Sequence, residues 1–343
     1  MKILHVSYIE TNSGWGAECF LDSALERLGH TVYKVDFKKH FNDLTTEIQK
    51  YEDFDLFFLQ RGDWFPKEIL KSVNRPCVFW ASELISRCRD QDRLLYSGLF
   101  DHIFVHSTSC LETLSRKLRN RKDNTKLSCL INAYDSDLHK KLYISKDIDV
   151  LFIGSITERR RNILNDLKNR IQITICENVY AEQFVELVNR AKIVINIHSA
   201  KHLDTETRVF EVLGCGTFLL SEKLSKENPF IPGMHYVEAD IDEFEEVIKK
   251  YLADESAREK IAAAGYMEAL NNHSYLARAR DSIVPIFERC IVEYGMHDQE
   301  ALDMVRMKRF YSKESSFFYK AIRRLFIRCF EKYQHIYDRI NVK

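Results

Sequence analysis

The chain has 343 residues, of which 45% are hydrophobic and 30% charged, with 11 glycines and 5 prolines. That length and mixture specify a globular protein of two ordinary domains and exclude a low-complexity or disordered chain. Its 51 basic residues balance 51 acidic ones, so the total charge singles out no partner.

In chain order, short apolar runs predict strands at KILHVSY (2–8), TVYKVDF (31–37), DLFFLQ (55–60), CVFWAS (77–82), HIFVHS (102–107) and LSCLIN (127–132). Amphipathic stretches separate them. In AECFLDSALERLG (17–29), Phe20, Leu21, Ala24, Leu25 and Leu28 share one helical face, and Gly29 closes the helix. The pattern restarts near 145 with DVLFIG (149–154), ITICE (173–177), IVINIH (193–198), TFLLSE (217–222) and YVEAD (236–240). From 242 onward it is mostly helical. Apolar strands alternating with helices predict parallel sheets covered on both faces, in two Rossmann-like halves joined by a hinge around 133–148. The expected divisions are an acceptor domain over 1–143, a donor domain over 144–290 and a basic helical tail over 291–343 packing back toward the first domain.

MKILHVSYIE reads as a strand, without a signal peptide's apolar region or cleavage site. No run reaches about 18 apolar residues, so no transmembrane helix is expected. Nine scattered cysteines without a C-x-x-C pair read as reduced thiols of a cytoplasmic protein.

Four motifs and a matching C-terminal ending carry a family resemblance. The opening has a strand, a loop with Gly14 and Gly16, then Ala17-Glu18, a helix and Gly29-His30 before the second strand. LINAYDSDLHKK (130–141) is similar to a "PNAxD" strand and linker, and DVLFIGSITERRRNIL (149–164) to a strand, "IG" turn and basic loop. NIHSAKHLDTETRVFEVLGCGTFLLSEKL (196–224) carries E-x-x-x-C-G before an apolar strand, and HSYLARAR (273–280) matches an "H-[ST]-Y-x-x-R" ending. Together they resemble the large retaining group of GT-B glycosyltransferases, nearest its spore-maturation CgeB-like variant, over roughly residues 1–290. The resemblance implies an α/β fold of GT-B type, with two Rossmann-like domains facing across a cleft. It also implies a nucleotide diphosphate-sugar donor, UDP-sugar favoured, no metal, and retention of configuration.

Such a donor presents a ribose, a diphosphate and a sugar. By resemblance Glu211 takes the ribose, where a carboxylate accepts from both hydroxyls. Arg160, Arg161, Arg208 and the helix start at Thr207 supply charge and N–H groups for the diphosphate, although Arg159–Arg161 also reads as a solvated turn. Gly14, Gly16 and Gly154 let the backbone approach the ligand closely, and Tyr180 sits beside the base or simply fills core. Candidates for the chemistry are Glu83 and His106 at strand ends of the first domain, and His198 and Glu206 in the second. The group's first acid, eight residues before the ribose Glu, is Leu203 here, with Asp204 and Glu206 nearby but out of step. Asp135-Ser136-Asp137 is a D-x-D read as a helix cap rather than a metal site.

The acceptor is left open: a surface or envelope glycan, or a lipid-linked glycan, leads, with a DNA base as the runner-up. RKLRNRK (116–122) is basic, and 301–343 carries a net charge of +7. In 317–340 Phe318, Ile322, Phe326, Phe330 and Tyr333 recur at helical spacing among Lys and Arg. Three readings stand for that helix: packing on the first domain, lying on an anionic membrane, or binding nucleic-acid phosphate. A sugar-nucleotide epimerase and a non-catalytic nucleotide-sugar binder are the other function classes compatible with the motifs.

Overall fold

The computed structural model describes residues 1–10, 16–82, 90–120, 125–200 and 203–296. The segment 301–343 lies outside them, as do Gly14, Glu83 and positions 121–122 of the basic run.

The first half builds a six-stranded sheet from β1 (Lys2–Ser7), β2 (Thr31–Asp36), β3 (Leu56–Gln60), β4 (Cys77–Ala81), β5 (His102–Val105) and β6 (Lys126–Cys129), in the order β2-β1-β3-β4-β5-β6. Every pairing is parallel, with Ile3 between Val32 and Leu56. Helices α1 (Ala17–Arg27), α2 (Leu44–Ile48) and α3 (Thr108–Asn120) fill its connections. The second half builds a five-stranded sheet from β7 (Ile148–Ile153), β8 (Thr174–Cys176), β9 (Ala191–Asn196), β10 (Phe218–Ser221) and β11 (Val237–Glu238), ordered β11-β10-β9-β7-β8 and again parallel. Its helices are α4 (Glu158–Lys168), α5 (Ala181–Arg190), α6 (Thr207–Gly214), α7 (Phe244–Ala253) and α8 (Glu255–Asn272). The chain then runs through α9 (Tyr275–Arg278), a π-helical turn (Ala279–Ile283) and α10 (Val284–Met296).

Strand alternation sends side chains to both faces of each sheet. Leu4, Phe57, Phe79 and Val105 face one core of the first sheet; Ile3, Phe58, Trp80 and Phe104 face the other. That second core also contains Tyr275, Ala279, Ile283, Phe287 and Cys290. The chain therefore recrosses to the first sheet at Ser274, within the span expected for the donor domain. The two crossings touch: Tyr275 N–H donates to the Tyr134 carbonyl at 2.9 Å. A buried pair, His5 Nδ1 to Asp22 Oδ1 at 2.5 Å, pins α1 to β1 beneath the stacked ring of Phe58.

The break after α6 follows from its two glycines. Gly216 takes φ 70°, and the N–H groups of Gly216 and Thr217 return to the carbonyls of Leu213 and Val212. This is the left-handed stop that turns a helix directly into a strand. Gly214 has a different task, because a Cβ there would lie 2.4 Å from the Tyr134 ring. Gly214→Ala is expected to destabilise the protein by roughly 1–3 kcal/mol or more, read as a lowered denaturation midpoint, because the buried linker ring has to move.

Among the described residues no helix is long and apolar enough to cross a membrane. The seven cysteines among them are free thiols, and burial pushes Cys19 and Cys129 up to about 11. Both stay protonated at neutral pH and are poor nucleophiles.

Candidate active site

In an open parallel sheet, ligands bind beyond the carboxyl ends of the strands, where the chain reverses its direction of winding. The first sheet reverses between β1 and β3, the second between β7 and β9. These two crevices face each other across a cavity of about 270 Å³. Its first-domain wall comprises Ala17, Glu18, Arg61, Trp80, Ser82, His106 and Asn132; its second-domain wall comprises Ser199, Asp204, Glu206 and Thr207.

Each reversal point is bridged by an arginine–glutamate pair. Arg61, just past β3, bonds through Nε to Glu18 in the first turn of α1. Arg61 has φ 69°, uncommon for a residue with a side chain, while Glu18 is fully buried. In the second domain the buried Arg160 of α4 donates from Nη2 to Glu206 at 2.8 Å, from Nε to the Ile197 carbonyl at 2.7 Å and from Nη1 to the Ser155 carbonyl at 3.0 Å. Glu206 precedes α6, so a carboxylate stands at a helix N-terminus, where the helix dipole favours it.

A third couple crosses the cleft. His106 Nε2 meets Asp204 Oδ1 at 3.1 Å. Further contacts join the domains beside it. Thr108 donates its N–H and hydroxyl to Glu227 Oε1 at 2.9 and 2.5 Å, and Asn132 Nδ2 reaches the Thr205 carbonyl at 3.3 Å. Burial pushes the Glu227 carboxyl up, but the bonds from Thr108 and from the backbone outweigh it and hold it below the usual carboxylate range.

The other sequence candidates take several positions. Gly16 caps α1 at φ 112°, and Gly154 follows β7 at φ 151°, where a Cβ would meet Arg160 Nη1 and the Phe152 ring at ordinary contact distance. Glu206, Thr207 and His106 line the cavity, whereas His198 is packed beside it, its Nε2 at 2.8 Å from the Lys223 carbonyl. Arg208 follows Thr207 in the first turn of α6, and Glu211 sits one turn further along. Their side chains approach to 3.6 Å, Arg208 lies 4.2 Å from the Phe184 ring centre, and Glu211 is 3.7 Å from His139 Nε2. Arg161 and Tyr180 are exposed at the surface. Asp135 Oδ1 accepts from the backbone of Asp137 and Leu138 at 2.9 and 2.7 Å, but a turn and not a helix follows it, so the expected helix cap is an Asx turn. Among the described residues His40, Asp43 and Glu47 place possible metal ligands within 4.8 Å of one another, but none of them lines the cavity.

Sequence reasoning passed over the Glu18–Arg61 pair. Strand order decides that β3 ends beside the start of α1, and strand order is not written in hydrophobic periodicity. The available signal was an arginine before a glycine directly after an apolar strand.

Comparison with known proteins agrees with this architecture. Residues 137–283 match the model of the glycosyl transferase-like family. No curated protein matches the chain. Among solved structures, sucrose-phosphate synthase from Thermosynechococcus elongatus superposes with a TM-score of 0.62 at 10% identity, over 85% of this chain and 100% of that one. Anabaena Alr3699/HepE in complex with UDP gives 0.55 at 13%, over 83% and 100%. An alpha-glucosyltransferase in complex with UDP-glucose and DNA containing an abasic site gives 0.56 at 11%, over 84% and 98%. The fold is GT-B.

Two consequences can be measured. Arg160→Met leaves Glu206 and two carbonyls without their donor, and is expected to cost roughly 3 kcal/mol or more in chemical denaturation. The Thr108–Glu227 contact contributes fully above the ordinary carboxylate range and fades as pH falls through the depressed value of Glu227. Glu227→Gln should therefore flatten the acid limb of the stability–pH curve and leave the neutral region nearly level in slope.

Proposed function

We propose that the chain transfers a sugar from a nucleotide diphosphate-sugar, with UDP-sugar favoured, to the hydroxyl of a surface, envelope or lipid-linked glycan. On this reading the reaction retains configuration and needs no metal, and the enzyme is of the CgeB-like kind. It works in the cytoplasm, at the inner face of the membrane when its acceptor is lipid-linked. The observation that carries the proposal is the cavity between two facing reversal points, with the start of α6 opening onto it. The complexes of HepE with UDP and of the alpha-glucosyltransferase with UDP-glucose support the choice of donor.

The donor lies along the second domain. Its sugar enters the cavity beside Glu206, and its diphosphate meets the N–H groups at Thr207 and the charge of Arg208. Its ribose hydroxyls replace the long contacts that Glu211 makes to Arg208 and His139. Gly154 admits the ligand backbone, and Tyr180 borders the base. Arg160 acts by holding Glu206 in place, with Arg161 adding positive potential from the surface. Charge that develops on the departing diphosphate is stabilised by groups already oriented, usually the largest catalytic contribution. On the acceptor side, His106, oriented by Asp204, and Glu83 are the groups for proton transfer from the hydroxyl. Gly14 and Gly16 serve the donor, letting the backbone approach it closely.

A second reading has DNA as the acceptor. The alpha-glucosyltransferase that shares the fold is complexed with DNA, and the basic run at 116–122 and the tail at 301–343 provide charge for phosphates.

Thermal stabilisation by a panel of UDP-, ADP- and GDP-sugars tests the donor. At a hundredfold excess over Kd the favoured nucleotide should add about 2.7 kcal/mol. Glu211→Ala should weaken that binding roughly ten- to hundredfold. Unchanged binding in this variant, with no donor hydrolysis in the wild type, would remove the enzyme reading.

A further inference from the structure

The chain that links the two halves reads KKLYISK over 140–146, just before β7. At its middle Tyr143 is 95% exposed and Ile144 43%, two consecutive apolar side chains in solvent. The segment is fastened on both sides of them to the C-terminal end of α5. Asn189, itself buried, donates from Nδ2 to the Lys140 carbonyl at 3.1 Å, and its Oδ1 accepts the Leu142 N–H at 2.7 Å. Lys146 turns its ammonium inward and donates to the carbonyls of Ala191 at 2.8 Å and Asn189 at 3.4 Å. Arg190 holds Asp147 through two bonds of 2.8 and 2.7 Å. Residues 143–145 therefore project from a fixed base.

Fastening the linker accounts for Asn189 and Lys146. It does not account for what projects, since Ser, Asn or Gly would serve an idle loop better than Tyr-Ile. Something covers this tip, and three residues are too few for a stable protein interface, which takes about 20–30 residues a side. A lipid bilayer needs far fewer. It is soft, admits a convex apolar tip among its headgroups, and favours tyrosine there, with an apolar ring and a polar hydroxyl. The charge beside the tip fits the same partner. Lys140 is exposed, the stem of Lys141 packs over Gly216, and neither ammonium has a carboxylate partner among the described residues. Each lysine close to a negatively charged membrane strengthens binding on the order of fivefold.

We infer that Tyr143 and Ile144 enter the interface of an anionic lipid bilayer, with Lys140 and Lys141 at its headgroups. The enzyme then rests on the membrane by the link between its halves. This deepens the lipid-linked branch of the proposed function and rests on it for its use, since an acceptor anchored in the bilayer is met by an enzyme held beside it. The tail at 301–343, with its net charge of +7, is a second source of attraction to such a surface, so the test has to read the tip itself.

The test uses the full-length chain and co-sedimentation with phosphatidylcholine vesicles, alone or with about one-third phosphatidylglycerol. The wild type should partition onto the anionic vesicles at least about tenfold better than onto the neutral ones. Replacing the tip by Tyr143→Ser with Ile144→Ser should weaken partitioning on the order of tenfold, and Lys140→Gln about fivefold. None of these residues lines the cavity, so UDP-induced thermal stabilisation should match wild type in both variants, which also shows that they are folded. Insertion has its own signature: the indole of a Tyr143→Trp variant should be quenched by anionic vesicles with brominated acyl chains, which attachment through the tail alone would not produce. The inference is overturned if the double variant partitions like wild type, or if that indole is not quenched. It is also overturned if the double variant abolishes a self-association seen by sedimentation velocity without lipid, which would assign the tip to a second copy of the chain. Tip-dependent vesicle binding together with transfer to water-soluble glycans alone would retire the lipid-linked reading and support the tip.

Discussion

Arg160 donates to the carbonyls of Ser155 and Ile197 and to the carboxylate of Glu206, groups that lie beyond β7, beyond β9 and at the start of α6. Those three segments surround the reversal point of the second sheet. Without a shared donor, the loop carbonyls would be buried unsatisfied and the carboxylate would swing toward water. The first sheet solves the same problem with Arg61 and Glu18. Helices and strands supply the scaffold, but these two guanidinium–carboxylate pairs set the distance between a strand end and the neighbouring helix start. Any ligand between the domains meets a surface whose geometry is fixed by paired charges.

The cavity has walls from both halves, so it exists only while the halves are together. Among the described residues, polar contacts that do that work include His106 to Asp204, Thr108 to Glu227, Asn132 to the Thr205 carbonyl, and Lys226 to Glu112. Each is a modest interaction in water-accessible surroundings, worth about 1 kcal/mol or less. Apolar burial is concentrated elsewhere, on the two faces of each sheet. Rigid domains joined by weak polar contacts suit a protein that must admit and release substrates between them.

Much of the fold was legible in sequence. Each of the eleven strands overlaps its apolar run, and eight lie wholly inside it while β6, β7 and β9 begin one or two residues earlier, because parallel strands covered on both faces need unbroken hydrophobic stretches. The helix-to-strand turn at Gly216 was legible for the same local reason. What the sequence hid was adjacency. The amphipathic pattern of 275–296 describes a helix with one apolar face, but not which sheet that face covers, and it covers the first. Glu18 and Arg61 lie 43 residues apart and meet only because β1 and β3 are neighbours. Thr207, Arg208 and Glu211, the residues proposed for the donor, come from a local motif, and that motif falls on one short helix. The motif places Glu206 out of step with the wider family's acid, and the structure gives that residue a partner, Arg160, from another helix.

The chain passes between the halves twice, at Tyr134 and at Ser274, and the two passages are bonded side by side. Two separated connections would resist rotation between the halves; two adjacent ones define a door hinge. Opening then swings the sheets about one line, so His106–Asp204 and Thr108–Glu227 part together and not in sequence. Gly214, packed flat against the Tyr134 ring, lies at that pivot. The helix that opens onto the cavity at Thr207 thus touches the hinge pin at its other end, and the cavity wall and domain rotation share a single rigid lever.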